Sequence, residues 1–236
     1  MDKYTVKIKT LTPIWTGDAD GMNNALRETG IIGSLRWWYE ALIRGLGGYA
    51  CDPTSNDRCS LDQRKFKEAL KNGKSEQEAL SEQICPTCQL FGCTGWARKF
   101  ILRILDKDGK IKVSCADQNE ELIFKFIPLK RISNEEWALL NLTLCFIAEC
   151  GAIGGKTKSH HLDFGLIEII ESKLNILPKE DLEKYVKSSS ENHMNRKSPK
   201  WVSIKNFWCV KGKYLARKNG NNSICNKVLG RPEGSE

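Results

Sequence analysis

Cysteine is the residue type with the most chemistry to offer in this chain. Cys85-Pro86-Thr87-Cys88 is a CxxC knuckle, a spacing that lets two thiolates reach one tetrahedral ion, and Cys51 and Cys59 upstream could complete a four-sulfur site. Structural zinc is the natural occupant, with an iron–sulfur cluster the lesser option. Cys93 competes for the fourth place, and the bland alternative is that several of these residues are buried free thiols. Ten cysteines in a chain that opens MDKYTVKIKT, with no apolar leader, belong to a reducing compartment, where clustered thiols are more often ligands than disulfides. We therefore expect a cytoplasmic protein. No apolar run is long enough to span a bilayer, so no membrane partner is expected.

The next candidate is the loop Gly151 to Lys158, which contains GGKT. A P-loop needs a glycine six residues before the lysine, and that position is Cys150. The stretch also follows a predicted helix, whereas a P-loop joins a strand to a helix, so NTP hydrolysis is not expected. What remains is a turn whose backbone N–H groups, with Lys156 and Lys158, could hold an RNA phosphate. His160 and His161 beside it could act as general base and acid in RNA cleavage, because imidazole titrates near working pH. We favour the plainer reading, loop histidines facing phosphate or solvent: the one other histidine is His193, and no partner base is indicated by spacing. Asp18-Ala19-Asp20 reads as a turn rather than a cation site. Trp15, Trp37 and Trp96 lie close to arginine or glycine, which suits base stacking, although tryptophan is more often packed than stacked on a ligand; Trp37 is the strongest of the three.

Charge points the same way as the basic loop. A formal net charge of +8 and a pI near 8.9 favour polyanionic partners, of which nucleic acid is the commonest, since each cation placed on a phosphate releases counterions. With 236 residues, 40% of them hydrophobic and 28% charged, the chain can bury a real core and is not a disordered tail.

The elements that must position these groups follow from periodicity. Tyr4 to Leu11 alternates at period two, a half-buried strand ended by Thr12-Pro13. A Gly- and Asp-rich loop leads to a helix expected from Gly33-Ser34 with Ser34 as its cap, on which Leu35, Trp38, Tyr39, Leu42 and Ile43 share one side and Arg36, Glu40 and Arg44 another. Residues 47–97 read as a cysteine-containing insertion with short polar helices over Leu61 to Lys71 and Ser75 to Gln83. Strands are expected over Lys99 to Leu105 and Leu122 to Ile127 with a hairpin signal at Asp108-Gly109, then a buried helix over Asn134 to Cys150 and a strand over Phe164 to Ile170. The order strand, helix, strand, strand, helix, strand is an α+β, ferredoxin-like (RRM-like) pattern over residues 1–171. Residues 172–236 read as a linker, KSSSENHMNRKSPK, and a partial second domain or C-terminal extension with one more strand at Trp201 to Val210.

Three segments, TPIWTG at Thr12 to Gly17, GSLRWWYEAL at Gly33 to Leu42 and CPTCQLFGCTGWARKF at Cys85 to Phe100, resemble the RAMP superfamily of CRISPR proteins, most closely the subunit-one group of the type III-B Cmr effector complex. The resemblance runs through the loop at Gly151 to Lys158 and is weak in the last 65 or so residues. It implies a ferredoxin-like subunit that is not the nuclease, sits near the 3′ end of the guide RNA, and binds guide and target RNA beside other Cmr subunits. Residue by residue it implicates Arg27, Arg36 and Trp37 around the first helix, Arg98 and Lys99 after the LFG element, and Lys156 and Lys158 in the loop; Arg44, on the polar row of the first helix, completes the RNA-binding candidates. The resemblance departs at Ser159 to Leu162, where the family's second glycine is missing. The rival function is a metal-independent endoribonuclease that processes guide RNA through His160 or His161.

Overall fold

The computed structural model describes residues 3–18, 20–157, 164–196 and 202–206. Strand β1 (Thr5–Thr10) forms where the sequence alternates, burying Val6 and Ile8 and leaving Lys7 outside. Helix α1 (Glu28–Gly45) follows, then three short helices, α2 (Gln63–Lys71), α3 (Glu76–Ser81) and α4 (Pro86–Phe91). The chain continues through β2 (Phe100–Asp106), β3 (Glu121–Pro128), α5 (Asn134–Cys150), β4 (Ile167–Ser172) and α6 (Lys179–Ser188), with single 3-10 turns at 191–193 and 204–206.

The protein is of mixed α+β class, and its four strands form one antiparallel sheet in the order β2-β3-β1-β4. Pairing of Val6 with Phe124, Ile8 with Leu122, Ile104 with Phe124 and Leu102 with Phe126 aligns the apolar residues of three strands on one face. That face, with α1 and α5, forms the main core around Leu35, Trp38, Tyr39, Trp137 and Leu140. Each such side chain stabilises by about 1.5–3 kcal/mol when fully buried. Helix α5 begins as its sequence predicts: Ser133 and Glu136 close a capping box. A second, smaller core holds Tyr49, Leu61, Phe66, Leu80, Ile84, Trp96 and the four cysteines of interest; we refer to it as the cysteine lobe.

Three expectations change. Helix α1 starts at Glu28, not at Ser34, and its cap comes from a distant residue: Thr16 Oγ1 accepts the Arg27 amide at 2.9 Å. Gly30 and Gly33 look like breakers, but Gly30 lies within the helix where it meets Thr16, whose Cβ would stand 3.0 Å from an added side chain. The Asp108-Gly109 turn is present, yet it folds Lys110 to Lys112 back onto β2 rather than joining β2 directly to β3: the Lys112 amide donates to Ile104 O at 2.9 Å. Finally, the stretch expected as an exposed linker is anchored by three buried residues, Ser189, Ser190 and His193, while the rest of its described part is exposed. Ser190 Oγ accepts the Tyr49 amide at 3.0 Å, and His193 is fully buried with its ring stacked on Tyr49 at 5.6 Å. Of the strand expected at 201–210, Ile204 to Asn206 form a 3-10 turn and 201 and 207–210 lie outside the described residues.

His193 supplies a pH prediction. Burial, reinforced by Arg196, lowers its pKa. A depressed folded-state pKa means that stability is fully present above the unfolded value of about 6.5 and is lost as the pH falls through the folded value. Thermal unfolding of the wild type should therefore lose on the order of 1 kcal/mol more than His193→Phe on moving from pH 8 to pH 5.5. Equal losses in the two proteins would show that His193 does not titrate on unfolding.

Candidate metal centre and basic face

The four expected ligands converge. The sulfurs of Cys51, Cys59, Cys85 and Cys88 lie within 4.8 Å of one another, and all four residues are buried. Cys51 Sγ stands 3.5 Å from Cys88 Sγ and 3.9 Å from Cys85 Sγ. Sulfurs sharing a tetrahedral ion at about 2.3 Å would be about 3.8 Å apart, so the donor set fits one metal ion. Hydrogen bonds from Cys59, then from Cys85 and Cys88, pull the Cys51 thiol far down, while burial pushes Cys85 well up.

Local structure explains the convergence. Cys85 occupies the N-cap of α4 with Pro86 at its first turn, and its amide donates to Cys59 Sγ at 3.3 Å. Gly92 ends α4 at φ +87, where a side chain would stand 2.8 Å from the Arg98 amide; this is the turn that brings Trp96 back over the knuckle. Asp62 caps α2, and the Leu61 amide donates to Thr94 O at 2.8 Å, tying the Cys59 segment to the segment after the knuckle.

The polar row of α1 faces this cluster. Arg36 donates through Nη2 to Cys88 Sγ at 3.3 Å, through Nη1 to Gly92 O at 2.8 Å and through Nε to Glu40 at 2.9 Å. Arg44 donates to the carbonyls of Ala50 and Cys51 at 2.9 and 3.0 Å and to Val202 O at 3.1 Å. Glu40 sits between the two arginines, its carboxyl pushed up to about 6 by burial against the pull of Arg36. Guanidinium N–H groups aimed at a sulfur and at the backbone around it would orient these ligands and offset the negative charge of thiolates holding a metal ion. The sequence carried a sign of this role, an Arg-Glu-Arg row at i, i+4, i+8 in a chain with a CxxC knuckle.

This geometry corrects two of the RNA-binding candidates. Lys99 is buried, and its ammonium is held by both carboxylate oxygens of Glu136 at 2.7 and 2.9 Å. Arg44 is buried on the partners just given. Neither presents a charge to a ligand outside the fold. Arg36 is half-buried and its guanidinium is engaged at the knuckle.

The other candidates separate into groups. Lys158, with His160 and His161, lies outside the described residues. Arg98 is half-buried on the turn beside Gly92. Trp37 is half-buried and meets Trp38 edge-on at 5.0 Å. Arg27 and Lys156 are exposed. Lys156 Nζ stands 4.5 Å over the Trp15 ring, and the backbone amide of Arg27 donates to Thr16 Oγ1, one residue on from Trp15.

The glycines of this loop have a specific task. The Gly155 amide donates to Trp15 O at 2.7 Å; an added Cβ at Gly154 would meet that carbonyl at 2.6 Å, and one at Gly155 would meet the indole ring at 2.6 Å. Gly151 lies against Trp38, whose Nε1 donates to Ala152 O at 3.0 Å. The loop thus runs from Trp38 to Trp15 along α1, with Lys156 at a left-handed φ of +49. Trp15, rather than Trp37, is the aromatic that the basic loop approaches. Asp18 is a turn former, its carboxylate accepting the Asp20 and Met22 amides at 3.1 and 2.7 Å.

The family model described as the RAMP superfamily matches residues 7–225, most of the chain. The chain belongs to the RAMP superfamily. No protein of curated function matches the sequence. Among solved structures, this RAMP protein is similar to Cmr1 from Pyrococcus furiosus in its apo form, at 15% identity and a TM-score of 0.41 over 71% of this chain and 49% of that one. It is similar to a chain of a type IV-B CRISPR complex, at 15% identity and a TM-score of 0.46 over 76% and 96%. A third likeness is to a chain of the type III-B Cmr-β complex bound to cognate target RNA, at 14% identity and a TM-score of 0.44 over 93% and 65%. The RAMP chain thus spans about half the length of the Pyrococcus furiosus protein. Among the described residues no helix is long and apolar enough to cross a membrane.

Proposed function

We propose that this RAMP protein is a non-catalytic RNA-binding subunit of a CRISPR ribonucleoprotein of the Cmr type, placed near the 3′ end of the guide RNA and in contact with guide RNA, target RNA and neighbouring subunits. In this reading residues 1–171 are a ferredoxin-like domain with an insertion at about 47–97, and the remainder is an extension or partial second domain. Zinc held by Cys51, Cys59, Cys85 and Cys88 is its structural cofactor; it supplies no reaction chemistry but fixes the knuckle to α1.

One observation carries the reading: the exposed Lys156 ammonium stands over the Trp15 ring, and the backbone of the exposed Arg27 is tied to Thr16, the residue after Trp15, at the start of α1. Cation and aromatic together suit a phosphate and a base of single-stranded RNA. RAMP membership and a net charge of +8 agree with it.

Gel-shift titration of the full chain with labelled repeat RNA tests both halves of the proposal. We expect a shifted and intact RNA, weakened about equally for unrelated single-stranded sequences when Arg27 and Lys156 are both replaced by glutamine. Discrete cleavage products that vanish in His160→Ala or His161→Ala would replace the proposal with the endoribonuclease reading.

A further inference from the structure

Several cations elsewhere in the fold are met by carboxylates: Lys7 by Glu171, Lys99 by Glu136, Arg103 by Glu28, Lys112 by Glu120, and Lys179 and Lys187 by Glu183. Helix α2 differs. Phe66 and Ala69 turn inward, Phe66 meeting Trp96 edge-on at 5.7 Å, and this orientation leaves Arg64, Lys67 and Lys71 on the solvent side, all exposed. Their spacing of three and four residues sets them about 4.5 and 6 Å apart along the axis, in a single row. None of the three is in an ion pair among the described residues. Asp62, the nearest acid before them, has its carboxylate engaged in capping the Arg64 and Lys65 amides, and Glu68 is the only carboxylate on the helix itself.

A row of cations suits a linear polyanion better than a compact anion, because each charge can neutralise a different phosphate. The row is also rigidly presented. The Asp62 amide donates to Gln83 at 2.8 Å, and Phe66 and Ala69 belong to the small core that holds the four cysteines. We infer that α2 is a second phosphate-contacting surface, on which Arg64, Lys67 and Lys71 hold the backbone of single-stranded RNA at a place separate from the glycine-rich loop. This inference rests on the RNA-binding reading above.

The test compares the full chain with R64Q/K67Q/K71Q, glutamine being as good a helix former as the residues it replaces. Circular dichroism and metal content confirm that the variant is folded, and Lys67→Glu alone serves as a second, milder variant. Binding of a long single-stranded RNA is followed against salt. Three lost phosphate contacts should flatten the slope of log affinity on log salt by about 2, at roughly 0.7 per phosphate on a single strand, with Lys67→Glu giving a smaller flattening. Unchanged affinity and slope in both variants, while the wild type binds and Arg27→Gln/Lys156→Gln does not, would overturn the α2 surface and leave the RNA-binding reading standing. A wild type that binds no RNA at low salt would overturn that reading and the inference with it.

Discussion

Treatment with a chelator, or replacement of Cys85 by serine, is expected to unfold the cysteine lobe while the four-stranded sheet persists. The lobe is built from short helices around a small core, in which four of the buried residues are the cysteines themselves. Thiols packed together without an ion leave the lobe dependent on few apolar contacts, and structural zinc contributes about 10–16 kcal/mol to the folding of zinc-finger peptides. Hydrogen exchange should therefore accelerate throughout residues 51–96 on chelation and recover when zinc is returned to the wild type, but not in Cys85→Ser. Trp96, whose Nε1 donates to Gln89 O at 2.9 Å within the lobe, gives a fluorescence signal for the same event. A lobe that keeps its protection without metal would mean that the sulfurs contribute only packing.

The second large effect concerns the ion pair that joins the entry of β2 to the start of α5. Lys99 precedes β2, Glu136 lies in the first turn of α5, and both are essentially without solvent contact. Glu136→Gln leaves a lone ammonium in the interior, and removal of one partner from a buried pair costs about 3–5 kcal/mol. Glutamine can still accept the Ser133 amide that Glu136 Oε2 holds at 2.9 Å, so the helix cap is retained and the loss reports the charge. We expect the urea midpoint to fall sharply for Glu136→Gln and to recover in large part in Lys99→Met/Glu136→Leu, where neither charge is present. A small loss in the single variant would show that Lys99 reaches water once its partner is gone.

Much of this architecture was legible in the chain because its signals are local. Period-two alternation marks β1, and the Ser133–Glu136 capping box marks the start of α5 within a few consecutive residues. The CxxC spacing marks half of the sulfur cluster; Cys51 and Cys59 were candidates for the rest with Cys93 as a competitor, and the fold brings Cys51 and Cys59 to the knuckle. The fate of individual cations was not legible. Lys99 and Arg98 are adjacent basic residues, yet the bend before β2 turns Lys99 inward to a glutamate on a different element while Arg98 stays half-exposed. Arg36 and Arg44 look like a solvent-facing row on an amphipathic helix; what faces them is set by where the knuckle docks, a tertiary fact. The same holds for the start of α1, where the capping hydroxyl belongs to Thr16 and no residue next to the helix supplies one. Trp15 was underrated because its glycine neighbours come from the distant segment 154–155 as well as from its own.

The central claim is that RNA lies against the start of α1 and the glycine-rich loop. Ultraviolet crosslinking of bound single-stranded RNA, followed by mapping of the modified peptides, addresses it most directly. We predict adducts on peptides containing Trp15, Arg27 or Lys156, lost when Arg27 and Lys156 are replaced by glutamine. Adducts that spare all three peptides would contradict the account.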